Sequence, residues 1–178
     1  SEIFFFFYTS HKFIALACDI AALLEERSPL QKESVTDLSL RIEVLRKYRA
    51  GERVNADRNV LDRIERLSLS WRKLMHTEVD NNAPIHFHIG KLIATAYPER
   101  IAQRIDKNGL RYRLGNGRIA RLAEHDPLSA DEWIAIAQLD AGNTEGKIFL
   151  ATAFDPRDKM DLAIETKVVT WAKEQIKL

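Results

Sequence analysis

Apolar residues recur at three- and four-residue steps through the first part of the chain and at alternate positions after it. From His11 to Arg27, Ile14, Ala17, Cys18, Ala21 and Leu24 form one stripe that Ser28-Pro29 stops, which predicts a helix. Leu30 to Thr36 reads as a polar connection. Asp37 is a good N-cap for a second helix with Leu38, Ile42, Leu45 and Tyr48 on one side, ended by Ala50-Gly51-Glu52. Asp57 begins a third, with Val60, Leu61, Ile64, Leu67, Trp71, Leu74 and Met75 as its apolar stripe. Asp80 to Pro84 is a loop. A fourth helix is predicted from His86 to Tyr97, with Pro98 to Arg104 continuing it through a kink or a new turn.

After Ile105 the period falls to two. Asn108-Gly109, Asn116-Gly117 and Gly142-Asn143 are turn signals between short alternating runs. Leu110–Leu114, Ile119–Leu122, Trp133–Leu139 and Lys147–Ala151 read as strands, Asp155-Pro156 caps a short helix through Ala163, and Val168–Trp171 reads as a last strand. The pattern predicts an α+β protein: an N-terminal helical bundle over residues 1–105 followed by a small β-rich domain over residues 106–178. Neither an internal repeat nor a low-complexity segment is evident.

At 178 residues, 46% of them apolar and 30% charged, the chain can bury a sizeable core and has an ordinary globular composition. Cys18 is the single cysteine, so there is no intrachain disulfide, and its apolar neighbours point to a packed small hydrophobe. The run Ile3-Phe4-Phe5-Phe6-Phe7-Tyr8 is too short to span a bilayer and lacks the flanks of a signal peptide. With Ser1 rather than Met at the start, that apolar run reads as the edge of a larger protein.

Charge is uneven. Between Glu99 and Arg121 stand Arg100, Arg104, Lys107, Arg111, Arg113, Arg118 and Arg121, opposed by Glu99 and Asp106, so the segment carries +5 in a chain that is +1 overall. Such a patch fits a polyanionic partner; it fits a solvated Arg-rich hairpin as well. Asn116-Gly117 suits a two-residue type I′ turn. That turn pairs Leu114 with Ile119 and Tyr112 with Arg121, and puts Arg111, Arg113 and Arg118 on the other face. Tyr112 is then either a cation–π partner of Arg121 or core, and one residue of bulge would reverse the faces.

Other chemistry is thin. The sequence has no G-x-x-x-x-G-K-[ST] loop and no G-x-S-x-G elbow. His86 and His88 do not share a helix face, and no cysteine or carboxylate pair completes a metal set around them. Glu25-Glu26 reads as a solvated helix end. Asp37, Asp57 and Asp155 read as caps, and Trp71 and Trp133 as core. The residues themselves leave a nucleic-acid-binding module and a protein-interaction scaffold open.

Four stretches carry a family resemblance. ALACDIAALLEERSPL (Ala15 to Leu30) and DLSLRIEVLRKYR (Asp37 to Arg49) resemble consecutive helices of the helicase-associated region in bacterial DEAH-box RNA helicases of the HrpB type. IGKLIATAYPERIAQR (Ile89 to Arg104) and RYRLGNGRIARLAEHDPLSADEWIAIAQLD (Arg111 to Asp140) are similar to the segments that follow. The combination of AYPERIAQR, NGRIARL and DPL-x₄-W is the specific part. The resemblance implies a ratchet-like helical domain and an oligonucleotide-binding-like barrel, here incomplete, from a cytoplasmic ATP-dependent helicase. It implies no catalytic residue, metal or cofactor in this chain, because ATP and Mg²⁺ belong to motor domains whose motifs are missing. It implies single-stranded RNA or DNA and the parent's own motor domains as partners, and no membrane. Arg100, Arg104, Arg111, Arg113, Arg118 and Arg121 are the expected nucleic-acid contacts.

Overall fold

The computed structural model describes residues 13–30, 35–140 and 144–159. The Phe-rich run and the expected strand Val168–Trp171 lie outside these residues. Four helices come first: α1 (Ile14–Glu25), α2 (Leu38–Arg49), α3 (Arg58–Leu74) and α4 (His88–Ala96). Five strands follow: β1 (Ile101–Arg104), β2 (Arg111–Leu114), β3 (Ile119–Arg121), β4 (Trp133–Leu139) and β5 (Gly146–Ala153). The expected α+β class holds. No described helix is long and apolar enough to cross a membrane.

Two of the helices, α2 and α3, begin at the expected aspartate caps. The Asp37 carboxylate accepts from the Ser39 N–H at 3.0 Å, and that of Asp57 accepts from Asn59 and Val60 N–H at 3.0 and 3.3 Å. Each such cap is worth about 1 kcal/mol. The stripes meet: Leu16, Ile20 and Leu23 of α1 are buried with Leu38, Ile42 and Leu45 of α2 and Leu61 and Ile64 of α3. Leu74, expected in the α3 stripe, is exposed. It is the last residue of α3, and Arg72 and Met75 pack inward there instead.

A charged cluster is sealed between the first three helices. Asp19 of α1 is 1% exposed. Arg49 of α2 grips both its oxygens, one by Nη2 and the other by Nη1 at 2.7 Å. The Ser68 hydroxyl of α3 donates to Asp19 at 2.6 Å and accepts from Arg72 Nη1 at 2.7 Å. Glu65 accepts from Arg72 Nη2 at 2.8 Å and also pairs with Arg49. Burial works against the Arg49 charge, but the hydrogen bond and charge of Asp19, with Glu65, more than offset it and raise its pKa. Neighbouring Cys18 is buried, and its thiol is pushed up to about 12, first by burial and then by the Asp19 charge. Cys18 is core, as its spacing implied.

The strands close into a barrel in the order β1-β2-β3-β5-β4. The β3–β5 pair is parallel and the other four are antiparallel. Closure, in doubt from the sequence, is complete among the described strands. Ala102, Tyr112, Leu114, Ala120, Leu122, Ile134, Ile136 and Ile148 fill the interior. Tyr112 is fully buried, and its hydroxyl donates to the Asp131 carbonyl at 2.6 Å.

One side of the barrel seats the helices. Ile101, Ala135, Leu150 and Phe154 belong to the helical core, not the barrel interior. α4 lies so close to the end of β5 that a β-carbon at Gly90 would overlap the Ala153 carbonyl oxygen. Residues 98–104 do not continue the helix. Pro98–Arg100 make one 3₁₀ turn and β1 starts at Ile101, ahead of the boundary expected at residue 105. The cause is local: Pro98 ends α4, and Ile101 and Ala102 then face opposite ways, one onto the helices and one into the barrel.

Candidate nucleic-acid interface

The β2–β3 hairpin decides which arginines face water. Leu114 N–H donates to the Arg118 carbonyl at 2.8 Å, and Gly117 N–H to the Leu114 carbonyl at 2.9 Å. Gly117 has φ +86°, whereas Asn116 is not left-handed. This is a type I turn closed by a G1 bulge, not the expected type I′ turn. The Asn116 side chain supports it by accepting from Arg118 N–H at 2.9 Å.

The extra residue shifts the pairing by one. Arg113 faces Ile119, Tyr112 faces Ala120, and Arg111 faces Arg121. Tyr112 is therefore core and does not pair with Arg121. The outward set is Arg111, Arg113 and Arg121, with Arg118 at the bulge and no longer in the row. The parallel β3–β5 pair extends the row, because Lys147 aligns with Arg121. Arg111, Arg121 and Lys147 thus stand side by side across three strands.

The six expected contacts divide. The side chains of Arg113 and Arg121 are exposed and make no hydrogen bond or ion pair among the described residues. Arg111 pairs with Glu145 at 2.8 Å, both side chains more than a third exposed. The other three donate to backbone carbonyls. Arg100 donates to the Ala137 carbonyl at 3.2 Å and lies 5.7 Å from the Tyr97 ring centre. Arg104 donates to the Asp106 and Ser129 carbonyls at 2.9 and 2.7 Å, closing one end of the barrel. At that end Asp131 has a raised pKa, from burial first and then from the Asp37 charge. Arg118 donates to the Asp140 carbonyl at 3.0 Å, which ties the hairpin to the end of β4.

Sequence reasoning missed two residues of this surface. Lys147 and Phe149 lie on β5, where exposed and buried positions alternate. Phe149 keeps 46% of its surface exposed, and the Lys147 ammonium lies 5.3 Å from its ring centre. The signal was the same two-residue alternation that predicted the strand.

Gly115-Asn116-Gly117, the one glycine-rich turn of the basic segment, closes the β2–β3 hairpin. No step of nucleotide chemistry is assigned to this chain. The two histidines of the His86-x-His88 pair do not converge on a common site: the His88 ring stacks on Phe13 at 4.4 Å, while that of His86 tilts against Phe87 at 4.0 Å.

A helical bundle seated on one side of a closed five-stranded barrel has counterparts among solved structures. The DExH-box NTPase HrpB of E. coli superposes with a TM-score of 0.62 and 26% identity, over 86% of this chain and 17% of that one. The chain is similar to part of HrpB. A second structure, described as the E. coli DEAH/RHA helicase HrpB, gives a TM-score of 0.59 at 24% identity, over 84% of this chain and 16% of that one. The likeness to HrpB is consistent with a C-terminal region of an HrpB-type helicase, and the resemblance read from the sequence is borne out. This chain spans about a sixth of the length of HrpB. No protein-family model and no curated protein matches the chain.

Proposed function

We propose that this chain is the accessory, non-motor part of a cytoplasmic ATP-dependent RNA helicase, holding single-stranded nucleic acid on the outer face of β2, β3 and β5. The observation that carries the reading is the row Arg111–Arg121–Lys147 with Arg113 beside it, on a sheet face that the described helices leave uncovered. The closed five-stranded barrel supports an oligonucleotide-binding-like reading, since that fold uses the face of its second and third strands for nucleic acid. The helical bundle corresponds to the ratchet-like domain, and the parent's motor domains supply ATP and Mg²⁺ chemistry. Cations on such a face track phosphates with little sequence readout.

The test is an anisotropy titration of labelled single-stranded RNA, and of DNA of the same sequence, across a range of salt. Weak binding is expected, with log K falling linearly in log[salt] by about 0.7 per phosphate contact. Arg113→Glu with Arg121→Glu should abolish it while the melting temperature holds, because exposed charges contribute little to stability. Undiminished binding by that double variant, or no salt-dependent binding by the unmodified chain, overturns the reading.

A further inference from the structure

A lone exposed phenylalanine needs no explanation. Phe149 has a particular setting. It stands two residues along β5 from Lys147, about 6.6 Å at strand rise, at the end of a row of cations crossing three strands. Its ring contacts the Lys147 ammonium, so cation and π-face are presented together. An acidic peptide would satisfy the cations and leave the ring face without a partner. A single-stranded nucleic acid satisfies both: its phosphates match the row, and its unstacked bases match the ring. A duplex would offer the phosphates alone, since its bases are stacked inside.

We propose that Phe149 is a base-stacking platform. When phosphates of a single strand lie on Arg121 and Lys147, a neighbouring base lies against the Phe149 ring. Every base has a π-face, so the contact selects single strands over duplexes without selecting sequence. The proposal rests on the nucleic-acid reading of this face, and it adds a contact that salt does not screen.

The test compares a short oligouridylate with an abasic strand of the same length, which keeps the phosphates and lacks the bases. The unmodified chain should prefer the base-bearing strand. Phe149→Ala should lower affinity for that strand by about 5- to 100-fold and leave the abasic strand and the salt slope unchanged. Phe149→Tyr should bind as the unmodified chain does. Unchanged melting temperatures establish that both variants are folded. If the unmodified chain binds neither strand, the nucleic-acid reading fails and takes this proposal with it. If it binds and Phe149→Ala discriminates the two strands as before, Phe149 is not a platform. If Phe149→Ala weakens both strands equally with a shallower salt slope, the ring only supports Lys147, and stacking is overturned.

Discussion

Arg111 stands directly opposite Arg121 across the β2–β3 ladder, with Glu145 held against Arg111 alone. Two guanidiniums at one rung repel, and the Glu145 carboxylate relieves half of the pair. The same carboxylate competes with any phosphate for Arg111. Glu145→Gln should therefore act in two directions. Stability should fall by no more than about 1 kcal/mol at low salt, because the pair is exposed and screened. Affinity for single-stranded RNA should rise, with a salt slope steeper by about 0.7 for one more phosphate contact. Thermal melting at two ionic strengths and the salt-dependent titration measure the two effects. Weaker RNA binding by Glu145→Gln would show that Arg111 is not in the interface.

The buried cluster at Asp19 sets a larger energy. Asp19 accepts hydrogen bonds from Arg49 and Ser68 and forms an ion pair with Arg72 at 3.6 Å. Removing it leaves two guanidiniums at 5–7% side-chain exposure with Glu65 as their shared counter-charge. Breaking a buried pair from one side costs about 3–5 kcal/mol. Asp19→Ala should destabilise by about that much in urea melts, and Asp19→Asn, which keeps the shape and an acceptor, by less. A loss below 1 kcal/mol for Asp19→Ala would mean that water reaches the cluster.

The helices were legible from their apolar stripes, and α2 and α3 had an aspartate cap as a second, independent signal at their starts. The hairpin was legible as a hairpin but not in its register. A type I′ turn would set Tyr112, a large core residue, against charged Arg121. The bulge sets Tyr112 against Ala120 and lets Tyr112, Leu114, Ala120 and Leu122 all point inward. That consistency of the inward set was the usable signal, and a turn judged on Asn-Gly alone overrode it. β1 was hidden because four residues after a proline show no period. The structural roles of Arg100, Arg104 and Arg118 depend on carbonyls at Ala137, Ser129 and Asp140, which no local pattern reveals.

Cys18 offers a probe of opening. Its thiol is buried beside the Asp19 carboxylate and titrates only near about 12 when folded. A thiol raised this way adds stability that is complete below its unfolded pKa of about 8.5 and fades as pH climbs towards the folded value. Native protein at pH 8 should react with a thiol reagent only as fast as it unfolds, and stability should decline between pH 9 and pH 11. Cys18→Ser should flatten that decline. Rapid native-state labelling at pH 8 would contradict the burial.

Arg41 makes the opposite case to Arg49. It lies on α2 between the buried Leu38 and Leu45, is 8% exposed, and its side chain makes no hydrogen bond or ion pair among the described residues. Its Nε is buried without a partner, and burial alone pulls its pKa down. A guanidinium partly dehydrated, with its Nε unpaired, opposes folding, while its aliphatic stem contributes favourable packing. Arg41→Met keeps the stem volume and removes the charge. It should raise stability by about 1–2 kcal/mol, within the range seen when buried charges are replaced by hydrophobic side chains of similar size. Arg41→Lys, which keeps a charge and hydrates more strongly, should give no such gain. Urea melts of the three chains at neutral pH make the comparison. If Arg41→Met is instead the least stable, the guanidinium is compensated in the folded chain, and its burial is a favourable contact rather than a cost.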